Sequence, residues 1–354
     1  MRIAAVVQAL LGIFCALAVP CMGFGIYVQT TLPAARRPSL TGALLGLVVY
    51  FLLAVFFAVT AVGAWRHRRW VRPVMLALSL PGTLLGVLAT GVLALTLPEV
   101  LQAALAGAGS PGGGPAAPPP LAATFAAAVS IGAGLIFYVG LPGLLAALYA
   151  RSDLQERCAA LDPQPRWTDH LPLPVLGTSL WLGLGAVGVL LCLPYGVFPC
   201  FGVLLAGPPA TALVLLTAAA CAVLARAVYR RHPLAWNATL ALVALGGLSG
   251  SLTFVRVDPL DVYRLSNTLP REQLALMERM RTGRLRLAFV GSTALSALAA
   301  AAFLLAQRRA FGPAAGTPSA LPPPGPVPPA PAEATGDAPR SEDRPPEELA
   351  SGPH

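Results

Sequence analysis

The feature that most restricts the fold of this chain is a series of eight long apolar stretches. A hydrocarbon core about 30 Å thick is crossed by ~20 helical residues, whereas a spanning β-strand needs only ~10 residues and alternates in polarity. A helix also satisfies its backbone hydrogen bonds within one segment. The sequence therefore predicts an all-α polytopic bundle of about eight transmembrane helices. We place them near residues 4–28, 41–64, 74–97, 121–149, 176–204, 208–228, 235–254 and 287–306.

The composition favours the same class and argues against a soluble fold. Apolar residues make up 56% and charged residues 11% of the chain, whereas soluble domains carry about 25% charged residues. The 24 basic residues are all arginine, which is typical of a GC-rich genome and suggests a bacterial inner membrane. We interpret the net charge of +9 as arginines that mark cytoplasmic loops. No basic face of a soluble domain is visible, so no nucleic-acid partner is predicted.

Short motifs recur in the two halves of the chain and predict an internal repeat. Two of the three pairs keep the same sequence offset, and each pair occupies a similar place among the apolar stretches. Four spans per unit is an even number, so both units enter the membrane in the same direction and form a parallel 4+4 repeat. The matching segments are Ala64–Arg69 with Val228–His232, Gly82–Gly86 with Gly246–Gly250, and Val19–Gly23 with Phe198–Gly202.

These patterns divide the chain into four parts. Residues 1–149 form the first four-helix repeat, 150–172 a cytoplasmic linker, and 173–311 the second repeat. Residues 312–354 are rich in proline and are expected to be a disordered tail. Between spans, we expect 98–120 to be a flexible external loop and a short surface helix near 270–282.

The arginine distribution predicts that both chain termini are cytoplasmic. Arginines cluster on one side of the predicted spans, and the loops after the first, third and fifth helices hold only Arg36 and Arg37. One loop disagrees: segment 255–286 carries seven arginines yet must be external if there are eight helices. The start of the chain resembles a signal peptide, but apolarity continues to Val28, so we expect an uncleaved first helix.

No motif for catalysis, cofactor binding or metal binding is visible, and we predict none of these. The six cysteines show no metal-ligand spacing. Arg226 is the one ionisable residue inside the apolar stretches, and it lies near an end, where its side chain can reach the headgroups. Gln8 is the most polar side chain of the first stretch. Because pumps and proton-coupled transporters use deeply buried charges, this pattern argues against those classes and against haem binding.

Prolines at similar places suggest a bend in the first helix of each unit. Pro20 lies in the first apolar stretch, and Pro194 and Pro199 lie in the fifth. Proline removes a backbone donor and clashes with the preceding turn. Broken helices in corresponding positions of two repeats can mark a transport site. A packing kink inherited through duplication is the simpler interpretation.

The linker has an unusual composition for a passive tether. It includes the run Asp162-Pro163-Gln164-Pro165-Arg166-Trp167-Thr168-Asp169-His170-Leu171-Pro172. This run resembles the linker of uncharacterised bacterial multi-pass membrane proteins, a resemblance that implies no activity. We expect a surface strap that packs Trp167 against the bundle, because amphipathic aromatic residues commonly anchor at the membrane interface. A third possible class is a membrane enzyme that uses loop residues such as Asp169 and His170.

The sequence thus favours a multi-pass membrane protein with a structural, sensory or interaction role. Its expected partner is the lipid bilayer, and its substrate-binding residues are unknown. The alternative is a transporter or lipid-handling protein with a site between the two repeats.

Overall fold

The computed structural model describes residues 2–31, 40–108, 125, 128–129, 131–164, 166–266 and 283–308. These residues are almost entirely helical, which confirms the all-α class. Eight helical segments have the length and apolar composition needed to cross a membrane. The chain is therefore a multi-pass membrane protein. The described residues contain eight candidate spans, and their positions agree with the sequence prediction except for the changes given below.

The described helices are α1 (Arg2–Thr31), α2 (Leu40–Trp65), α3 (Val71–Ala108), α4 (Leu141–Ala150), α5 (Ser152–Leu161), α6 (Leu173–Leu190), α7 (Pro208–Tyr229), α8 (Ala235–Arg256), α9 (Pro259–Ser266) and α10 (Gly283–Ala306). A π-helical turn, Leu135–Gly140, runs directly into α4, so Ile131–Ala150 forms one span. Strands β1 (Val197–Cys200) and β2 (Val203–Ala206) pair as an antiparallel hairpin between α6 and α7. We call α1–α4 the first unit, and α6, α7, α8 and α10 the second unit.

The spans pack as antiparallel pairs, and each pair consists of two consecutive spans. α1 packs on α2, α3 on α4 and its π-helical turn, α6 on α7, and α8 on α10. Small residues bring partners close, since a Cβ at Gly12 would lie only 3.4 Å from the backbone nitrogen of Ala58. α3 also contacts α6 and α10, and the Trp181 indole donates a hydrogen bond to the Ala77 carbonyl at 3.0 Å. α3 is thus a helix through which the two units meet.

The fifth apolar stretch is not one helix, so the prediction of a helix over 176–204 with a proline bend is wrong. α6 ends at Leu190, Pro194 lies in a 3₁₀ turn, and Pro199 lies in β1. Gly196 adopts a left-handed conformation, with φ at 61°, which glycine enters without steric cost. Pro20, by contrast, lies inside the continuous helix α1. The two proline motifs therefore occupy different secondary structures and are not equivalent positions.

Hydroxyl groups of α8 provide hydrogen-bond partners for the backbone of the hairpin turn. The backbone N–H groups of Phe201 and Gly202 donate to the hydroxyls of Ser249 at 3.0 Å and Thr253 at 3.1 Å. Irregular backbone next to a membrane needs such partners, because lipid cannot supply them. Hydrogen bonds to two residues of α8 therefore hold the hairpin turn.

Two further boundaries differ from the sequence expectation. α3 continues to Ala108, so residues 98–108 are helical and not part of a flexible loop. This extension is rich in leucine and alanine, which have high helix propensity. The remainder of that loop, most of the span start expected over 121–130, the short helix near 270–282, and the tail 312–354 lie outside the described residues.

Three connections meet at one end of the bundle, which we call the arginine-rich end. They are the α2–α3 turn, the linker, and the α7–α8 turn. A guanidinium nitrogen of Arg68 lies 3.6 Å from a carboxylate oxygen of Asp162, and Arg231 donates to the His170 carbonyl at 3.0 Å. The β-hairpin contacts α9 near the far end of α8. The start of the disputed segment 255–286 thus lies at the end of the bundle opposite the arginine-rich end, as a chain with eight spans requires.

The α2–α3 and α7–α8 turns have the same backbone structure at one constant sequence offset. His67 and Arg231 both adopt φ of 54°, and each ends its helix with a left-handed residue. Four backbone hydrogen bonds recur in the two turns. The matched pairs are Arg66–Val62 with Arg230–Arg226, His67–Ala64 with Arg231–Val228, Arg68–Gly63 with His232–Ala227, and Val71–Arg68 with Ala235–His232.

Candidate functional site

A cavity of about 840 Å³ lies inside the first unit, between the α1–α2 pair and the α3–α4 pair. We call it the first-unit cavity. All four helices of the unit contribute to its wall, from Leu11 on α1 to Leu145 on α4. The two helix pairs pack tightly within themselves and touch one another much less. The cavity occupies the space that this arrangement leaves between them.

A buried apolar cluster closes the cavity toward the arginine-rich end. Ala5 of α1, Val71 of α3 and Tyr149 of α4 are each at most 1% exposed and belong to one cluster. Met75 and Leu145 belong to this cluster and also line the cavity. Burial of large side chains stabilises such a cluster by about 1.5–3 kcal/mol each. The helix pairs are therefore joined at the arginine-rich end, and the cavity begins next to this cluster.

The π-helical turn forms one wall of the cavity. Phe137 and Tyr138 of this turn line it, and the Phe137 ring stacks on Phe14 of α1 at a centroid distance of 5.8 Å. A π-helical turn inserts one extra residue into a helix and occurs often at functional sites. The backbone of this turn presses on α3, where a Cβ at Gly86 would overlap the Tyr138 carbonyl oxygen. Glycine at position 86 therefore sets the position of this wall.

Among the residues that the structure describes, the lining of the first-unit cavity is apolar, with a few neutral polar side chains and no charged one. The lining residues with polar side chains are Cys15, Tyr50, Ser79 and Tyr138. Ser79 is 4% exposed. Such a surface holds an apolar ligand by burial and orients it with a small number of hydrogen bonds. It offers no carboxylate, ammonium or imidazole for acid–base catalysis.

Two polar side chains lie buried just below the cavity without a hydrogen bond of good geometry. Gln8 is 0% exposed, and neither its amide nitrogen nor its amide oxygen makes a hydrogen bond of good geometry with a described residue. The adjacent Tyr149 hydroxyl is buried and faces Gln8, but it makes no hydrogen bond of good geometry with Gln8 or with another described residue. A buried polar group without a partner costs about 1–3 kcal/mol. Gln8, which the sequence singled out, is thus an energetic cost at the base of the site.

A second, smaller cavity lies between the units and has a volume of about 240 Å³. Pro81 and Leu84 of α3 form one side, and Trp181 of α6 with Phe303 of α10 form the other. The hydroxyls of Thr178 and Thr239 face their own helices, where they donate to carbonyls at 2.9 Å and 2.8 Å. This cavity therefore presents an almost wholly apolar surface.

The ionisable residues of the linker form a structural cluster at the arginine-rich end. The Arg166 guanidinium makes two hydrogen bonds to the Asp162 carboxylate, at 2.8 Å and 3.1 Å. Hydrogen bonding from Arg166 holds the pKa of the Asp162 carboxyl below its usual range. Arg69 lies 3.7 Å from Asp169, whose carboxylate also accepts the Arg166 backbone N–H at 3.0 Å. These contacts fasten the linker to the α2–α3 turn.

The residues considered for a loop-based enzyme are held apart from the first-unit cavity. The Asp169 carboxylate is engaged by Arg69 and Arg166, and the backbone of His170 is fixed by Arg231. Trp167 contacts Tyr229 of α7, with ring centroids 6.3 Å apart and ring planes tilted by 44°. Across the described ranges, no three His, Cys, Asp or Glu residues come together as a metal site.

The residues lining the cavity could not be identified from the sequence. Tyr50, Ser79 and Tyr138 lie in apolar stretches whose lipid-facing and inward-facing positions have the same composition. Helical periodicity is weak there, because lipid and protein interior are both apolar. Comparison with known protein families, with curated proteins and with solved structures gives no match. The properties of the site therefore come from its geometry alone.

The Asp162 contacts lead to a testable prediction about the linker. Asp162→Asn is expected to loosen residues 162–170, because the amide replaces a carboxylate that accepts two hydrogen bonds from Arg166. Trypsin should then cleave after Arg166 several-fold faster at pH 7. Since the folded-state pKa of Asp162 is lowered, its stabilising effect is present at neutral pH and is lost as pH falls below about 4.

Glu156→Gln is the matched control for this prediction. Glu156 lies exposed on α5 of the same linker and makes no ion pair among the described residues. Its substitution should leave the cleavage rate unchanged. Equal cleavage of Asp162→Asn and the wild type would contradict the prediction.

Proposed function

We propose that this protein binds a neutral, lipid-like molecule in the first-unit cavity and acts by binding, not by catalysis. The observation that supports the proposal is a cavity of about 840 Å³ that is lined by four spans and has no charged residue among its described lining residues. Sites for small molecules usually measure about 300–1,000 Å³ and are mostly apolar. A structural, sensory or interaction role is compatible with such a ligand, because occupancy would fix the spacing of the two helix pairs.

The chemistry of the lining defines the class of ligand. An ion would lose its hydration without gaining a partner, because the lining carries no opposite charge. A molecule with long apolar segments and one or two hydroxyl, carbonyl or ether groups matches the lining. The Tyr50 and Ser79 hydroxyls can donate to such oxygens. Molecules of this kind reach the cavity from the bilayer.

The site between the units is the second candidate, and its size disfavours it. Its volume of about 240 Å³ falls below the range common for small-molecule sites. The lining residues of the two cavities correspond when α3 is matched with α8 and α4 is matched with α10. The corresponding lining residues are Met75 with Thr239, Ser79 with Val243, Leu141 with Ser296, and Leu145 with Ala300.

This correspondence supports the proposed parallel 4+4 repeat. Arg72 donates to the Tyr149 carbonyl at 3.0 Å, and Trp236, at the matching position, donates to the Leu304 carbonyl at 3.0 Å. Gly86 approaches Tyr138, and at the matching positions a Cβ at Gly250 would lie 2.9 Å from Thr293. We further propose a bacterial inner membrane and cytoplasmic termini, on the basis of the arginine distribution.

Native mass spectrometry of the protein in mild detergent tests the ligand proposal. The wild type is expected to retain a neutral lipid-like molecule. Ser79→Phe should reduce its occupancy about tenfold, because the ring enters the cavity and removes volume. Stability should change by less than about 1.5 kcal/mol, since the ring fills existing space.

Leu80→Phe is the matched control, because Leu80 is the next residue on α3 and is 55% exposed. Its substitution adds a ring on the surface and should leave occupancy unchanged. Equal occupancy in Ser79→Phe, Leu80→Phe and the wild type would overturn the proposal, as would a wild type that retains nothing.

A further inference from the structure

A small pocket at the arginine-rich end carries both signs of charge on apolar walls. It has a volume of about 120 Å³ and lies between the start of α1, the end of α4 and the linker helix α5. Ala150 is the last residue of the fourth span, and Arg151 follows it directly. The pocket therefore lies at the boundary between hydrocarbon and headgroups.

Three charged side chains line this pocket: Arg151, Asp153 and Arg157. All three are exposed. Asp153 and Arg157 are four residues apart on one helix, a spacing at which such pairs often form. Yet within the described ranges neither they nor Arg151 form an ion pair. Their charges are therefore available to a ligand.

The other residues that line the pocket are apolar. Ile3 of α1 is 70% exposed and lines the pocket together with Leu148 of α4. Leu154 of α5 forms the floor and is 7% exposed. A ligand that fits must combine a charged head of modest size with an apolar chain that leaves along Ile3.

The charges specify the head more closely. Two guanidinium groups match a phosphate, which arginine binds with paired hydrogen bonds. The carboxylate of Asp153 would repel a purely anionic head, whereas it can accept hydrogen bonds from an ammonium group. We propose that this pocket binds the phosphoethanolamine head of a phospholipid, with its phosphate on Arg151 and Arg157 and its ammonium on Asp153.

This assignment predicts a selectivity among lipids with identical acyl chains. Phosphatidylethanolamine should bind best, because its ammonium donates hydrogen bonds. Phosphatidylcholine has no N–H to donate, and phosphatidylglycerol has no cation for Asp153. The expected preference over each is about tenfold, the size of one charge-assisted hydrogen bond.

Lipid titration of the full-length protein, followed by native mass spectrometry, tests the assignment. Asp153→Asn should abolish the preference for phosphatidylethanolamine over phosphatidylglycerol while lipid binding persists. Arg151→Gln combined with Arg157→Gln should weaken all three phospholipids about tenfold or more. Glu156→Gln and Arg230→Gln, whose side chains do not line the pocket, should change neither quantity.

A change in selectivity separates headgroup recognition from a merely structural role of these side chains. An unchanged preference in Asp153→Asn would overturn the proposal. So would binding of inorganic phosphate or soluble phosphoethanolamine by a wild type that shows no preference among the lipids. Ser79→Phe leaves this pocket intact, so failure of the first-unit cavity as a ligand site would not affect the selectivity measured here.

Discussion

Gly86→Ala is expected to lower the free energy of unfolding by about 3 kcal/mol, near the upper end of overpacking effects. The added methyl group would overlap the carbonyl oxygen of Tyr138 in the π-helical turn. A flexible side chain could rotate away, but a backbone carbonyl cannot, so α3 and the turn must separate. Reversible unfolding in mixed detergent micelles, followed by tryptophan fluorescence, measures the change.

Two other glycines of α3 provide controls with a different expected sign. No atom lies within 4 Å of a Cβ placed at Gly91, and the nearest atom to one at Gly82 is Pro142 Cβ, 3.9 Å away. Alanine is favoured over glycine in a helix by up to ~1 kcal/mol. Gly91→Ala and Gly82→Ala should therefore be neutral or stabilising. A loss of stability equal to that of Gly86→Ala in either variant would show that the close contact with Tyr138 is not the cause.

The paired substitution Gln8→Leu with Tyr149→Phe is expected to stabilise the protein by about 1–3 kcal/mol. Both polar groups are buried, and neither has a hydrogen bond of good geometry among the described residues. Replacing both by apolar groups of similar shape removes the cost of their desolvation. The side-chain volumes change little, so the surrounding cluster keeps its packing. The same unfolding experiment measures the gain.

A double-mutant cycle makes this prediction specific to the pair. Gln8→Leu alone leaves the Tyr149 hydroxyl buried, and Tyr149→Phe alone leaves the Gln8 amide buried, so each single gain should be smaller. Gln8→Glu is the opposing variant, because it buries a carboxyl group at a position that is 0% exposed. If the double variant is less stable than the wild type, Gln8 and Tyr149 form a stabilising pair and the prediction is wrong.

The sequence predicted the fold class well and the candidate site hardly at all. Spans such as α2 and α7 were predicted because twenty or so apolar residues must form a helix in lipid. Their inward faces were not predictable, since Ser79 on the cavity and Leu80 on the surface lie in the same apolar run. Asp169 and His170 were visible as unusual loop residues, yet in the structure their contacts hold the linker in place. Arg151 and Arg157, which line the small pocket at the arginine-rich end, stood out from the sequence only as part of a topological pattern.

By itself, the sequence determined that the chain crosses a membrane and where most spans lie, because the bilayer imposes one length and one backbone solution on every segment. The tertiary structure decided the features that depend on contacts between distant segments of the chain. The fifth stretch ends in a hairpin because Ser249 and Thr253 supply hydrogen bonds from another helix. The first-unit cavity exists because the two helix pairs pack tightly within themselves and meet mainly in the buried cluster at one end. Such contacts join residues far apart in the chain, and in apolar segments no local pattern marks them.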